Sequence, residues 1–205
     1  LFDIKERLDR ELLVNTYWQS NMLLLIKRAY RYFPLIEKIL KDEEVPDDFK
    51  YLAVIESGLE NLRSPKGAKG IWQLMPNTAR EYGLEVNRNV DERYNLELST
   101  RVACKYFKKA KKKFGSWTLA AAAYNRGISG ISRNLTRQKV ANYYDLLLGR
   151  ETSRYIFRII AVKEIMKNAD KYGFVFQEMD LYKPYELREF KVDTVISNIA
   201  DFSKK

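Results

Sequence analysis

The sequence predicts a mainly α-helical protein, on three observations. Apolar residues recur every three or four positions over most of the chain, which is the spacing of amphipathic helices and not the alternation of strands. An alanine run at positions 120–123 has side chains small enough for close helix contact, which indicates the buried centre of a domain. Glycine, which often closes a helix in the left-handed conformation, follows several of these stretches: Gly58, Gly83, Gly115 and Gly173.

The N-terminal region is predicted to be helical. Asp3 to Phe33 carries an amphipathic pattern that is interrupted near Asn15. Pro34 is expected to end this helix, because proline lacks an amide donor and its ring clashes with the preceding turn. A second short helix follows over Leu35 to Leu40. We expect residues 1–44 to pack across the core as a helical brace.

One carboxylate stands out in the stretch Val45 to Asn77. A helix starting near Pro46 would place Glu56 in its last turn, and Gly58 would turn the chain away directly afterwards. Apolar neighbours and the negative end of the helix dipole both favour the protonated carboxyl, so Glu56 is predicted to act as an acid near neutral pH. Most glutamates near helix ends are simply solvated, and this helix alone does not decide between the two interpretations.

The loop after this helix favours the catalytic interpretation. Residues 64–70 contain two glycines that let the backbone approach another object closely. Pro76 suits the first turn of a new helix, which would present Trp72, Gln73 and Met75 around its entrance. An apolar surface with one amide beside it is typical of a site that binds the face of a sugar ring. Packing in the core explains Trp72 equally well.

The second half of the chain is predicted as helices joined by short loops. From Phe174 the pattern changes, and residues 190–195 alternate as in a strand, so we expect 174–205 to be a short C-terminal appendage. The elements before it are a helix to Tyr82, a loop over Leu84–Asn95, a helix over Leu96–Phe114, a helix capped by Ser116, a basic helix to about Arg137, and a long helix over Tyr155–Tyr172 capped by Thr152.

Composition excludes several kinds of chemistry. The chain has no histidine, which rules out His-dependent zinc sites and Ser-His or Cys-His nucleophiles. Carboxylates, tyrosines and amides remain for acid or base work, and we expect neither a metal nor a cofactor. Cys104, the only cysteine, is expected to be a small buried hydrophobe. The net charge of +10 is spread along the chain without a nucleic-acid motif, so a basic surface for an acidic polymer is predicted and nucleic acid is not.

Three motifs in order carry a family resemblance. They are Glu56-Ser57 at a helix end, Gly-Ile-Trp-Gln at 70–73 and Ala-Tyr-Asn-Arg-Gly at 123–127. With Arg-Glu-Thr at 150–152 and Tyr155, they resemble the signature of soluble lytic transglycosylases of glycoside hydrolase family 23, which have a lysozyme-like fold. The resemblance looks closest to the membrane-bound lytic murein transglycosylase D type. It covers residues 45–173, which are therefore the expected catalytic domain.

The resemblance also implies the reaction. Glu56 would be the sole catalytic acid and base, cleaving the β-1,4 bond between N-acetylmuramic acid and N-acetylglucosamine in peptidoglycan. It would protonate the glycosidic oxygen and then take a proton from the C6 hydroxyl of the same sugar, which closes a 1,6-anhydro ring. One carboxylate then suffices, whereas ordinary glycosidases use a flanking pair.

Further roles follow from the same resemblance. Tyr124 is expected to hydrogen-bond the Glu56 carboxyl and Asn125 to hold an acetamido group, although a Tyr-Asn pair at a helix end is often only a cap. Trp72 departs from the Gly-Leu-Met-Gln pattern of many relatives, and Glu151 matches a carboxylate across the cleft but equally suits a helix first turn. The residues expected to support the acid or bind substrate are Ser57, Ser64, Trp72, Gln73, Met75, Tyr124, Asn125, Glu151 and Tyr155.

Two alternatives stay open. One is a hydrolytic muramidase of the goose-lysozyme type, and the other is a peptidoglycan-binding domain without turnover. The resemblance implies a bacterial periplasmic or cell-envelope location, peptidoglycan glycan strands as partner, an anchor upstream of Leu1 and LysM modules downstream. The longest strongly apolar run, Leu23 to Ile26, is far too short to span a membrane. No oligomeric state is predicted.

Overall fold

The structure, a computed structural model, describes residues 2–187, 192–196 and 198–202 and is mainly α-helical, as the sequence predicts. Over these ranges no β-strand forms, and the only bridges are isolated pairs in loops. None of the helices there is long and apolar enough to cross a membrane. The helices are α1 Phe2–Tyr17, α2 Gln19–Asp42, α3 Lys50–Ser57, α4 Pro76–Glu81, α5 Leu96–Phe114, α6 Trp117–Arg126, α7 Ile128–Gln138, α8 Arg150–Lys167 and α9 Ile199–Phe202.

Helix α6 lies at the centre of the molecule. Its alanines at positions 120, 122 and 123 are fully buried, and the helix packs against α5, α7 and α8. These small side chains let the neighbouring helices approach closely, as predicted from the alanine run. The same continuous apolar core includes residues of α2, α3, α5 and α8. Helix α3, which carries Glu56, is thereby held between α2 and α8.

The N-terminal helices differ from the prediction at two positions. The break between α1 and α2 falls at Trp18 and not near Asn15. The expectation that Pro34 ends a helix is wrong, because α2 runs through it from Gln19 to Asp42. Packing explains this: Ile36 and Leu40, beyond the proline, are fully buried in the core, and their burial offsets the lost backbone hydrogen bond.

Helix α1 is fastened along α8. The buried carboxylate of Glu11 receives two hydrogen bonds from Arg154, at 2.6 and 2.9 Å. Arg7 donates to the Ser153 carbonyl at 2.6 Å, and its guanidinium lies over the ring of Phe157. The N-terminal region therefore braces α8, the helix that carries Glu151 and Tyr155 on its first turns. The division of the chain at residues 44 and 173 stays a prediction.

Several predicted boundaries need correction in the second half. Helix α6 follows its predicted cap, since Ser116 accepts a hydrogen bond from the backbone amide three residues later. Asn95, the last residue of the predicted loop, caps α5 in the same way. Thr152 does not cap α8, which already begins at Arg150 and ends at Lys167 before a 3-10 turn over Ala169–Tyr172. The predicted strand is absent over residues 192–195, and Phe190 and Lys191 lie outside the described residues.

Candidate active site

Glu56 lies in the last turn of α3, where Gly58 closes the helix with φ 62°. Its side chain is half-buried, and this burial is the largest cause that raises the pKa of its carboxyl above the usual value. The nearby carboxylate of Glu151 raises the pKa further, whereas Tyr155 and Arg158 lower it. Burial dominates, so the carboxyl holds its proton to higher pH than a solvated glutamate, in the direction that the sequence predicts.

The hydroxyl that reaches this carboxyl belongs to Tyr155. It donates to Oε1 of Glu56 from α8, which packs directly on α3. The expectation that Tyr124 makes this bond is wrong, because the Tyr124 hydroxyl donates instead to the Trp72 carbonyl at 2.7 Å. Tyr124 still lies close to the acid, since burial and then the charge of Glu56 raise the pKa of its phenol well above the usual value. One tyrosine therefore bonds to the carboxyl, and a second lies within range of its charge.

The loop between α3 and α4 is held by its own polar side chains. Ser57 is buried and donates to the Ile71 carbonyl at 2.7 Å, while Ser64 accepts from the amide of Ala68 at 3.0 Å. Gln73, in a left-handed conformation with φ 48°, donates its amide to the carbonyls of Leu62 and Gly70. These three polar residues shape the loop beside Glu56.

Asn125 and Glu151 meet across the opposite side of the site. The amide of Asn125 donates to Oε1 of Glu151 at 3.0 Å, and its carbonyl accepts from Thr152 at 2.8 Å. The end of α6 is thereby joined to the first turn of α8. Glu151 remains exposed, so both suggested roles, a carboxylate facing the cleft and a partner of the helix dipole, fit its place.

A cavity of about 270 Å³ opens between α4 and the end of α6. Met75, with 42% of its surface exposed, and Thr78 lie on its α4 side. Among the described residues no group of three His, Cys, Asp or Glu side chains is placed to hold a metal ion. The remaining lining residues are Gln73, Leu74, Tyr106, Tyr124, Asn125, Arg126 and Gly127.

Comparison with known families identifies the domain. The family model of the transglycosylase SLT domain matches residues 33–147, which is more than half of the chain. The chain belongs to the SLT domain family. All three motifs that carry the sequence resemblance lie inside the matched range, and α8 with Glu151 and Tyr155 follows it.

Two similar proteins are lytic murein transglycosylases. This SLT domain is 35% identical over 152 residues to the membrane-bound lytic murein transglycosylase D of Escherichia coli K12, which covers 71% of this chain and 34% of the relative. The protein of the same name from Escherichia coli O6:H1 matches equally. The chain therefore spans about a third of the length of these relatives.

A solved structure shows the same fold. The 70 kDa soluble lytic transglycosylase of Escherichia coli superposes with a TM-score of 0.57 at 19% identity, over 75% of this chain and 27% of that chain. At this identity the match concerns the fold alone. The expected architecture, a mainly α-helical lysozyme-like transglycosylase domain, is confirmed.

Trp72 of the SLT domain is a core residue. Its side chain is fully buried, and its indole nitrogen donates to the Thr100 hydroxyl at 2.7 Å. The ring packs edge-on against Phe107 and Tyr124. The expectation that this side chain is presented to a sugar is therefore wrong, and only its backbone carbonyl, which accepts from Tyr124, takes part in the site.

Sequence reasoning missed the residue that anchors the loop of the SLT domain. Arg93 is buried and donates two parallel hydrogen bonds to Asp91, both at 2.8 Å. Its remaining guanidinium nitrogen donates to the carbonyls of Gly67 and Leu74. Gly70 fits against the same residue, since an added Cβ would lie 2.1 Å from the Arg93 carbonyl oxygen. The spacing Asp-x-Arg was the available signal, but such pairs are common on exposed surfaces.

The hydrogen bond from Tyr155 should influence the pKa of Glu56 and the pH dependence of activity. Tyr155→Phe should raise the pKa of Glu56 further, because the lost hydroxyl favours the charged carboxylate. We expect the high-pH limb of a kcat/KM profile to move to higher pH. We also expect kcat to fall by about tenfold, because the acid loses a partner that fixes its orientation.

Glu151→Gln is the opposing control. The amide still accepts from Asn125 but no longer repels charge on Glu56, so the same limb should move to lower pH. Profiles of both variants over the same buffers measure the two shifts. If the high-pH limb moved in the same direction in both variants, this electrostatic account would be refuted.

Proposed function

We propose that this SLT domain is the catalytic part of a lytic transglycosylase that cleaves the β-1,4 bond between N-acetylmuramic acid and N-acetylglucosamine in peptidoglycan. One observation carries the proposal: the half-buried carboxyl of Glu56, with its raised pKa, is held at a helix end by the hydroxyl of Tyr155. The name of the first relative, a lytic murein transglycosylase, supports the substrate class. The same name supports a bacterial cell-envelope location.

In the first step Glu56 acts as the acid. Its proton passes to the glycosidic oxygen, and the bond from that oxygen to C1 of the muramyl sugar breaks. Positive charge develops at C1, and the acetamido group of the same sugar supports it. Burial suits Glu56 to this step, because a carboxyl that resists ionisation is still protonated when substrate binds.

In the second step Glu56 acts as the base. The carboxylate accepts the proton of the C6 hydroxyl while O6 bonds to C1 and closes the 1,6-anhydro ring. No water is consumed, and the proton taken from O6 replaces the one given to the leaving oxygen. One carboxylate serves both steps, because proton donor and proton acceptor act at different times.

The other site residues divide into two roles. Ser57, Ser64 and Gln73 act by holding the loop, since their polar atoms bond to its backbone. Met75, exposed in the cavity, provides an apolar contact for a sugar face. Asn125, which lines the same cavity, is assigned to the acetamido group through the second hydrogen of its amide, since the first is donated to Glu151. Tyr124 and Tyr155 orient the loop and the acid respectively.

Hydrolysis is the second candidate, because Glu151 is close enough to influence the pKa of Glu56 and is exposed to water. A second carboxylate can activate water in a glycosidase. The engagement of Glu151 with Asn125 favours a binding role instead.

Digestion of purified sacculi in water enriched in heavy oxygen tests the reaction. We expect mass spectrometry to show muropeptides with anhydro ends and no incorporated heavy oxygen. Reducing muramic acid ends that carry the label would establish hydrolysis and refute the proposed reaction. Sedimentation of the protein with sacculi, without release of any fragment, would refute turnover and leave a binding domain.

A further inference from the structure

A second cavity, of about 530 Å³, lies along α7 and is lined by three arginines: Arg126, Arg133 and Arg137. We name it the arginine groove. Its other lining residues are small or neutral: Gly130, Ser132, Asn134 and Thr136. Arg133 and Arg137 are four residues apart on α7, which places both side chains on one face of the helix. Within the described part of the chain, no acidic side chain lines the groove.

The position of Arg126 depends on Gly130. A Cβ added at Gly130 would lie 3.0 Å from Cγ of Arg126, so the arginine stem lies directly against the buried backbone of α7. Any larger residue at this position would push the stem outward. The glycine thus leaves room for the Arg126 stem along the wall of the groove.

The three guanidinium groups have no carboxylate partner among the residues that the structure describes. Across the part of the chain that the structure describes, no ion pair includes Arg126, Arg133 or Arg137. Arg137 donates to the neutral amide oxygen of Asn134, at 3.2 Å. Elsewhere in the fold Arg93 and Arg154 are each paired with a carboxylate through two hydrogen bonds. The groove therefore offers planar donors that suit a carboxylate from outside the chain.

The arginine groove adjoins the candidate active site. Arg126 lines both this groove and the cavity that contains Met75, Tyr124 and Asn125. The two cavities therefore meet at Arg126, so a substituent on a sugar bound in one lies next to the other. In peptidoglycan the muramyl sugar carries a short peptide with free carboxylates.

We propose that the arginine groove binds the carboxylates of the peptides attached to the glycan strand. This inference rests on the proposed function, because it assigns a second part of the same substrate to a second surface. It makes the protein selective for strands that carry charged peptides. The glycan bond is still cut at Glu56, outside the groove.

The expected gain in affinity for the peptide carboxylates depends on how exposed the arginines are. The guanidinium groups of Arg133 and Arg137 are exposed, so each carboxylate pair contributes only a few-fold in affinity, and two contribute about five- to tenfold. The contribution should weaken as ionic strength increases, because exposed charges are screened. It should affect KM and leave kcat unchanged, because neither arginine lies at the bond that breaks.

The test compares two substrates that differ only in charge. Soluble glycan strands with their native peptides are set against the same strands after carbodiimide and ammonia have converted the peptide carboxylates to amides. The variant Arg133→Gln/Arg137→Gln removes two charges from the groove. The matched control, Lys112→Gln/Lys113→Gln, removes two exposed charges from the end of α5. Circular dichroism checks that both variants fold.

We expect the groove variant to raise KM about five- to tenfold on native strands and to leave it unchanged on amidated strands, while the lysine variant behaves as wild type. Equal KM values for both substrates, or a preference that the groove variant retains, would overturn the inference while cleavage itself upheld the proposed function. Strand binding by co-sedimentation is measured in parallel. Failure of wild type to cleave either substrate would refute the proposed function. The inference would then be tested by co-sedimentation alone: stronger binding of native than of amidated strands, lost in the groove variant, would support it, and equal binding would overturn it.

Discussion

Glu56→Gln should lower kcat for the release of peptidoglycan fragments by about 10³- to 10⁴-fold, because general acid–base catalysis contributes up to that range and one group here serves both steps. The amide oxygen can still accept the hydrogen bond from Tyr155, so the shape of the site is kept. Chromatography of muropeptides released from sacculi measures the rate. Binding to sacculi should be unchanged, which separates lost chemistry from lost recognition.

Glu60→Gln is the matched control for this variant. Glu60 lies four residues later, in the loop just beyond the end of α3, where its carboxylate pairs with Arg28 at 2.6 Å and its side chain is 43% exposed. Its loss should leave kcat within about twofold of wild type, since exposed pairs contribute little. If Glu56→Gln retained more than a tenth of the wild-type rate, Glu56 would not be the acid of this reaction.

The same substitution should stabilise the fold at neutral pH. The pKa of Glu56 is raised in the folded state, so between its unfolded and folded pKa values the native chain holds more protons, and the free energy of unfolding falls as pH rises. The amide of Glu56→Gln does not ionise, so the free energy of unfolding of this variant does not fall with pH for this reason. Thermal unfolding should therefore show a higher Tm for Glu56→Gln than for wild type at pH 7. The difference should disappear below the unfolded pKa of glutamate, about 4.3.

Local signals in the sequence predict most helices but not the path of α2. The bounds of α5 follow from Asn95, which caps its start, and Gly115, which closes its end in a left-handed conformation. Pro34 is a local stop signal that the tertiary structure overrides, because α2 is buried on both sides of it. Whether packing outweighs a local preference depends on partners from distant parts of the chain. A sequence pattern does not contain that information.

In the candidate site, too, some features follow from local sequence and others depend on tertiary packing. Glu56 is found from a helix end and its apolar neighbours, which are local features. Which tyrosine reaches its carboxyl depends on how α8 packs across α3, and this interaction joins residues 99 positions apart. Trp72 has the composition of a sugar-binding surface, yet Thr100 on α5 satisfies its indole nitrogen within the core. Side-chain identity predicts the chemistry of the site better than the direction in which each side chain points.

Arg93→Met should cause the largest loss of stability. The substitution leaves the carboxylate of Asp91, which is 15% exposed, with Lys69 as its remaining ionic partner, and it removes the donor to the carbonyls of Gly67 and Leu74. Breaking a buried pair on one side costs about 3–5 kcal/mol in the free energy of unfolding. For a chain of this size that corresponds to a fall in Tm of roughly 10 °C. Chemical denaturation and a thermal melt measure both.

Arg101→Met is the control for the loss of an arginine. Arg101 is 39% exposed and pairs with the exposed Glu97 and, at 3.5 Å, with Glu43. Because Glu43 keeps Lys108 as a partner after the substitution, the expected cost is below about 1 kcal/mol. Equal losses for the two variants would show that Arg93 is not the anchor of the loop.

The pH dependence of stability should identify the partner of Arg93. The two hydrogen bonds from Arg93 hold the pKa of Asp91 well below its usual range. This contribution to stability is present above the unfolded pKa of aspartate, about 3.9, and is lost as pH falls toward the folded pKa. Wild type should therefore lose stability on acidification below about pH 4, and Arg93→Met should lose less, because its Asp91 no longer has a strongly lowered pKa. Because the loop that Arg93 anchors carries Gln73 and Met75, the variant should also show a lower kcat/KM at temperatures where it is still folded.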